Sequence, residues 1–339
     1  MKNKLLSLAM LVSLLAFGLI LSACGPSAAT QTMLATPTVE DVIGFKNKLL
    51  WLKSNAQNGG NYLIEVKSNE QTGGEIFSFP GDLSYKNKSN ITITIRGVGK
   101  DRVISRGELG NVFTVGAGVT LILDNITLHG TKIFNAADAE KTNSVVRISS
   151  EGTLVMNEGV TITGNSYHST VFGGGGGVYV SSGGTFIMKG GLITGNECFQ
   201  LPNPVLMMAS KGKANTFSEK DPKGCGVYVA GKGSFLGSTW PSGTFIKTSG
   251  TITGYASNEE NGNVVKKFGG QGIVQNNGHA IYANGKSIDI TIGPNVHLSL
   301  KDDVFSGNWD GKETASKAIE KSVAEEPTNE ETAGENQSE

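Results

Sequence analysis

The sequence has little charge, few cysteines and none of the short motifs that mark the commonest enzymes. Charged residues make up 17% of its 339 residues, too small a share for a chain that is disordered throughout. The 29 Lys and Arg nearly balance the 30 Asp and Glu, so no excess of positive charge favours nucleic acid as a partner. The Gly-x-x-x-x-Gly-Lys-[Ser/Thr] phosphate loop, the His-Glu-x-x-His zinc motif and the Gly-x-Ser-x-Gly nucleophile elbow are absent, which disfavours the enzyme classes that carry them.

Glycine is what the sequence has in excess. Its 47 glycines lack the strict triplet period of collagen. The length allows two domains, although single all-β domains also reach this size. The composition therefore favours a glycine-rich, β-leaning chain.

The N-terminus has the pattern of an export signal. Two lysines precede an apolar run over residues 5–21. Two small residues and then Cys24 follow, and they resemble the bacterial lipobox, which implies acylation of Cys24 and cleavage just before it. We therefore expect residues 1–23 to be a lipoprotein signal peptide and residues 24–37 to be a tether between the lipid and the fold. The alternative is an uncleaved membrane anchor, because the run is about as long as a short span.

A helix and two strands are predicted before the repeats begin. Thr38, with Asp41 three residues on, is typical of a helix N-cap, and an apolar stripe predicts one amphipathic helix over 39–55. Residues 62–66 and 91–95 have the composition of strands, and the second alternates cleanly.

From Asn111 onward the chain repeats itself in five units. Each unit holds short apolar strands separated by Gly turns, and a constant offset of eight residues joins the first two strands in four units. The matched pairs are Phe113 and Leu121, Val146 and Leu154, Val178 and Phe186, and Val227 and Phe235. A constant offset means that equivalent residues stack, so three strands per unit describe one coil of a solenoid with a packed interior.

The last two units depart from this pattern. Pro241 interrupts the fourth unit, and Lys247 falls where the third unit has Met188. The fifth unit has candidate second and third strands over 288–290 and 296–298. We therefore expect an irregular fourth coil and then one more coil of the same kind.

Repeats of the form Gly-Gly-Val-Tyr-Val, Gly-Thr-Phe-Ile-Met and Gly-x-Ile-Thr-Gly-Asn resemble those of bacterial cell-envelope lipoproteins with right-handed parallel β-helices, related in fold to pectin lyases. The resemblance covers about residues 60–300. It implies an all-β domain over 38–310, a right-handed parallel β-helix solenoid with the N-terminal helix as its cap. Residues 311–339 carry eight Glu against three Lys, so we expect a disordered acidic C-terminal tail, with a short helix over 313–325 as the alternative.

Four long connections leave the units at equivalent places, and we expect them to line up along one edge of the solenoid. They span 131–143, 166–176, 197–225 and 256–278. Loops of repeat proteins often form binding surfaces, and apolar, Met-rich loops suit protein partners. The candidate binding residues are Phe199, Met207, Met208, Phe217 and Phe268. Tolerated insertions, or loops that fold back over the sheet, are the alternatives.

The two remaining cysteines bracket the longest connection. In register, Cys225 takes the place of Gly176, so Cys198 and Cys225 lie one coil apart at the base of this loop. We expect a disulfide between them in the oxidising cell envelope, and two unrelated buried thiols are the alternative. Asn165 and Asn196 are also equivalent and predict a hydrogen-bonding ladder at this turn.

Candidate catalytic groups are sparse. Polysaccharide lyases and glycoside hydrolases on this fold need converging carboxylates, and Asp124 and Glu158 form the only carboxylate pair in the stacked outer columns. The four His lack metal-ligand spacing, so we expect no metal and no cofactor. Tyr179 and Tyr228 occupy equivalent outward positions, where they could stack on a sugar or on each other. No catalytic residue is predicted.

These features predict a lipid-anchored cell-envelope protein, exposed on the outer surface or held within the envelope. It would act as a non-catalytic, adhesin-like binding or structural module. Its partners would be the membrane, through the lipid, and a host or envelope protein or a glycan, but not nucleic acid. A polysaccharide lyase or glycoside hydrolase on the same fold is the alternative, and a scaffold subunit of a larger surface assembly is a third.

Overall fold

Side chains alternate between the interior and the surface along the strands. In Ile91–Gly97 the three isoleucines are fully buried, while Thr92, Thr94 and Arg96 face outward. Because successive side chains of a strand point to opposite faces, one face of each strand must be covered. The chain covers these faces by coiling, so that each strand lies beside its equivalent in the next coil.

The structure is a computed structural model. It describes residues 38–72, 81–85, 87, 89–107, 110–132, 143–169, 174–200, 222–235, 237–255, 258–267, 272–273, 278–283, 288–292, 297–300 and 304–305. The predicted signal peptide, the tether with Cys24 and the acidic tail lie outside these residues. Within them, no helix is both long enough and apolar enough to cross a membrane.

Three sheets run along the solenoid, and each coil before the C-terminal end contributes one strand to each sheet. Sheet I has eight strands, in spatial order Asn61–Val66, Ile91–Gly97, Val119–Asp124, Thr153–Met156, Thr185–Met188, Thr244–Lys247, Ile288–Ile292 and His297–Leu300. Sheet II has six, Glu70–Thr72, Val103–Arg106, Thr127–His129, Thr161–Thr163, Leu192–Ile193 and Thr251–Ile252. Sheet III has seven, Asp82–Leu83, Phe113–Val115, Val146–Ile148, Val178–Val180, Val227–Val229, Ile281–Ala283 and Val304–Phe305.

The register between coils follows the predicted columns. Leu121, Leu154 and Phe186 are paired neighbours in sheet I, and all three are fully buried. In sheet III, Val146 pairs with Val178. The chain therefore folds as the predicted all-β, right-handed parallel β-helix, and its sheets do not close into a barrel.

A fourth sheet lies where the sequence predicts only loops. Sheet IV contains Ser166–Ser169, Glu197–Gln200 and Val264–Lys266, all parallel. The connections 166–176 and 197–225 therefore begin as strands, and the prediction of three strands per coil is wrong here. Equivalent residues in these short strands differ from coil to coil, so they carry no repeat to detect.

The N-terminal segment is not the single helix expected over 39–55. A 3₁₀ turn spans Val39–Asp41, and the helix α1 spans Phe45–Asn55. Gly44 separates them at φ 89°, a left-handed conformation that a continuous helix does not contain. The apolar stripe concealed this break, because it continues across the glycine.

The cap functions of this segment are as expected. The backbone N–H and the hydroxyl of Thr38 both donate to Asp41 Oδ2, at 2.7 and 2.9 Å. Leu49 and Leu52 of α1 are fully buried within the solenoid core. The 3₁₀ turn and α1 lie against the first strand of sheet I, so together they close this end.

The fourth coil is irregular, as predicted. Gly233–Phe235 and Ser238–Trp240 form an antiparallel hairpin in front of Pro241. Phe245, rather than the expected Phe235, pairs with Phe186 and stacks on its ring at 4.9 Å. The eight-residue offset therefore fails in this coil, because the hairpin is inserted between the two strands.

Lys247 occupies the position of Met188, as the sequence predicts, and it is 1% exposed. A charged side chain is an exception in this inner column of sheet I, where its equivalents Leu123, Met156 and Met188 are apolar. Burying an ammonium group in such surroundings is costly.

The C-terminal end turns back on itself. Ile288–Ile292 continues sheet I in parallel, but His297–Leu300 then pairs with it in the antiparallel direction. The prediction of a further regular coil, with 296–298 as its third strand, is therefore wrong. Val304–Phe305 likewise pairs antiparallel with the sheet III strand Ile281–Ala283.

Candidate functional site: the patch on sheet IV

The predicted alignment of the long connections along one edge is confirmed. Three of them pass through sheet IV, and the fourth lies beside it, because the N–H of Ser166 donates to the carbonyl of Thr131 at 3.0 Å. Sheet IV and the residues beside it therefore bring chain from four coils to one corner of the solenoid.

A ladder of buried amides fixes this corner. Asn165 and Asn196 are fully buried and equivalent, as predicted, and Asn263 extends the column. The Asn196 side-chain amide donates to Asn263 Oδ1 at 2.8 Å, and Asn263 donates to the carbonyl of Ile193 at 2.9 Å. The sequence conceals Asn263 because residues 255–262 are inserted ahead of it. Each asparagine directly precedes a strand of sheet IV and thus fixes where that strand begins.

Glu197, the first residue of its sheet IV strand, is the centre of a cluster of charged side chains. Glu197 Oε1 is 3.3 Å from the Nζ atoms of both Lys132 and Lys266. The Glu197 side chain is 15% exposed, whereas those of Lys132 and Lys266 are 43% and 28% exposed. One carboxylate between two ammonium groups leaves one positive charge, and both lysines reach solvent.

An aromatic contact lies two residues along, on the same face. The rings of Phe199 and His168 meet edge to face with centroids 4.7 Å apart, and Lys266 Nζ lies 5.8 Å from the Phe199 centroid. Because side chains at i and i+2 share a face of a strand, Glu197 and Phe199 belong to one surface. We call His168, Glu197, Phe199, Lys266 and Lys132 the sheet IV patch.

Only one predicted binding residue belongs to this patch. Phe199 is half-buried within a strand, not held out in a loop as expected. Met207, Met208, Phe217 and Phe268 lie outside the described residues. The other four members of the patch were not predicted from the sequence. Three of them stand close behind a ladder asparagine in the sequence, which was the available signal. Glu197 follows its asparagine by one residue, and His168 and Lys266 follow theirs by three.

The opposite face of sheet IV is apolar and holds the cysteines. Cys198, Cys225 and Val265 form a fully buried cluster, with Tyr167 packed against it. Both cysteines are free thiols in the structure, and the predicted disulfide stays a prediction. Burial, and then a side-chain hydrogen bond with Cys198, raises the pKa of the Cys225 thiol, so it stays protonated and is a poor nucleophile.

His279 backs this cluster in a neutral form. It is 2% exposed, and its Nδ1 accepts the N–H of Val265 at 2.9 Å. Burial lowers the pKa of His279 from its ordinary value of 6.5. An accepting Nδ1 requires the proton on Nε2, so the imidazole joins sheet III to sheet IV as an uncharged link.

The tyrosines on sheet III stack on one another. Ring centroids lie 5.3 Å apart between Tyr179 and Tyr228, and 5.8 Å apart between Tyr228 and Tyr282. Tyr228 is 7% exposed because the backbone at Gly174 lies over it, where a Cβ would be 2.1 Å from the ring. The ladder stabilises the sheet, and the buried rings of Tyr228 and Tyr282 offer no open platform for a sugar.

Asp124 and Glu158, the two carboxylates considered as catalytic groups, contact residues other than each other. Asp124 Oδ2 accepts from Arg96 Nε at 2.7 Å in an ion pair. The Glu158 stem lies against Gly190 in the next coil. Among the described residues, no three His, Cys, Asp or Glu side chains group as metal ligands. An open depression of about 470 Å³, lined by Ser54, Asn55, Ala56, Gln57, Asn58 and Asn87, contains no acid or base.

Comparison with protein-family models, with curated proteins and with solved structures finds no match to this chain. The interpretation of the sheet IV patch therefore rests on its own geometry.

Proposed function

We propose that this protein is a non-catalytic binding module of the bacterial cell envelope, and that the sheet IV patch is its contact surface. The supporting observation is the placement of the Phe199 and His168 rings beside two solvent-reaching lysines, at the base of the long connections. A ring edge next to an excess positive charge suits a partner that presents an apolar face together with an acidic group. The partner class is a host or envelope protein, or an acidic glycan.

The lipid anchor is the second part of the proposal. It rests on the N-terminal pattern that ends at Cys24. Cys24→Ser should remove acylation and leave the fold intact, since Cys24 lies fourteen positions before Thr38, where the N-terminal cap begins. In detergent phase partitioning, the parent should enter the detergent phase and the variant should not. A variant that still enters it would show an uncleaved apolar span instead.

Binding is tested on arrays of glycans and extracellular-matrix proteins. The Cys24→Ser chain should bind a subset of acidic partners, and Phe199→Ala or Lys266→Ala should each reduce that binding at least tenfold. Lys189→Ala is the matched control, because Lys189 is an exposed lysine that directly follows the sheet I strand Thr185–Met188, outside the sheet IV patch. Equal loss in all three variants, or no loss in any of them, would refute the patch as the contact surface. Circular dichroism checks that each variant is folded.

A further inference from the structure

The two buried cysteines meet at the corner where sheets III and IV join. Cys198 lies in the sheet IV strand Glu197–Gln200, and Cys225 lies two residues before the sheet III strand Val227–Val229. A Cβ placed on Gly176 of the preceding coil would lie 2.9 Å from Cys225 Sγ and 3.1 Å from Cys198 Sγ. Both sulfur atoms therefore contact the same point, and they fill the space that the glycine leaves.

The surroundings of the sulfur atoms suit a disulfide better than a reactive thiol. Both cysteines are fully buried, and Val265 and Tyr167 enclose them. The Cys225 thiol donates a hydrogen bond to the backbone carbonyl of Asn196 at 3.2 Å. A thiol is a weak donor, so this bond contributes little. A bond between the sulfur atoms would remove both S–H groups from an apolar cluster.

We propose that Cys198 and Cys225 form a disulfide during folding, and that it closes residues 199–224 into a covalent loop at the base of the sheet IV patch. The oxidant is a small-molecule or protein disulfide. One thiolate attacks it and releases a thiol, and the second thiolate then displaces the remaining thiol from the mixed disulfide. The two cysteines lose two protons and two electrons, and the oxidant becomes two thiols. The inference does not depend on the binding proposal.

Because Cys198 and Cys225 are buried, the disulfide between them can form only before this part of the protein has folded. Thiol exchange needs access to a sulfur atom, and neither sulfur is accessible in the folded protein. Oxidation therefore precedes the docking of the corner against Gly176. Once formed, the bond resists reductants that act only on exposed disulfides.

The test uses the full chain with Cys24→Ser, which leaves only these two cysteines. A specific protease site is inserted between Ser210 and Lys211, and the protein is refolded with glutathione disulfide and then cleaved. We expect one band on a non-reducing gel and two bands after reduction. Fragments that separate without reductant would overturn the proposal.

A second measurement does not depend on the inserted site. The uncut chain, refolded in the same way, is denatured and treated with an alkylating agent without reductant. We expect no added label and a mass lower by two hydrogen atoms, whereas two labels per chain would overturn the proposal. Cys225→Ser is the control and should take one label on Cys198.

A rate measurement tests when the bond forms. Protein that is reduced in the unfolded state and refolded before oxidant is added should form the disulfide at least tenfold more slowly than the unfolded chain does. An equal rate would contradict formation before docking.

Discussion

Sheets I and IV belong to the same solenoid, but equivalent residues repeat from coil to coil in sheet I and differ in sheet IV. Sheet I repeats one kind of residue, and its inner column of Leu121, Leu154 and Phe186 is uniformly apolar and fully buried. Sheet IV has three strands, and its equivalent residues His168, Phe199 and Lys266 share no chemistry. Where equivalent residues repeat, as in sheet I, each coil packs against the next through the same apolar contacts. Where they differ, as in sheet IV, each coil contributes a different side chain to the surface. The repeated sheet therefore holds the fold, and the varied sheet is where specific contacts arise.

The largest expected effect is in sheet I. Leu154→Asp places an unpaired carboxylate among fully buried side chains, and it should destabilise the protein by more than about 4 kcal/mol and unfold the middle coils. Ile187→Asp is the control on the outward side of the same sheet, where the cost should be about 1 kcal/mol. Thermal unfolding followed by circular dichroism compares them. Equal losses in the two variants would mean that the inner column is not the main source of stability.

The next effect is in the corner that carries sheet IV. Asn196→Ala removes the acceptor of the buried Asn165 backbone N–H and one of the two donors to Asn263 Oδ1, which should cost about 2 kcal/mol. Asn157→Ala, at a half-buried position directly after the sheet I strand Thr153–Met156, should change stability by less than about 0.5 kcal/mol. Urea unfolding measures both. If Asn196→Ala is as stable as Asn157→Ala, the ladder does not hold the corner.

A smaller effect of the opposite sign is expected at Lys247. Lys247→Met restores the residue type of its paired neighbour Met188 and removes a buried charge from sheet I. The variant should be more stable by about 1 kcal/mol. Lys189→Met, at an exposed position directly after the sheet I strand Thr185–Met188, is the control and should change little. A Lys247→Met variant that melts earlier than the parent would show that the ammonium group contributes to the fold.

The smallest effect is a pH dependence at the corner. Because burial lowers the pKa of His279, the unfolded chain takes up its proton at a higher pH than the folded protein does. The stability from neutral His279 is complete above its ordinary pKa of 6.5 and is lost as the pH falls below it. His279→Asn keeps an acceptor near Val265 but cannot be protonated, so it should lose less stability between about pH 7.5 and about pH 5.5. Urea unfolding across this range tests the difference, and identical slopes for the two proteins would contradict it.

The same contrast explains what the sequence could and could not predict. The inner columns were predictable because Phe113, Val146 and Val178 recur at a fixed offset from the next strand. The reversal of His297–Leu300 was not, because side chains alternate with a period of two in parallel and antiparallel strands alike. Sheet IV was hidden for another reason. Its strands are short and their residues do not recur, so only the asparagine before each strand marked the position.

The reversed strand at the C-terminal end has a consequence for how molecules meet. A parallel coil presents a row of unpaired N–H and C=O groups that could serve as a template for the first strand of another copy. Here His297–Leu300 occupies that row in the antiparallel direction, and at the other end the 3₁₀ turn and α1 lie against Asn61–Val66. Among the described residues, neither end of sheet I therefore leaves a parallel strand uncovered for another coil. This arrangement disfavours end-to-end pairing of sheet I with a parallel strand of a second copy.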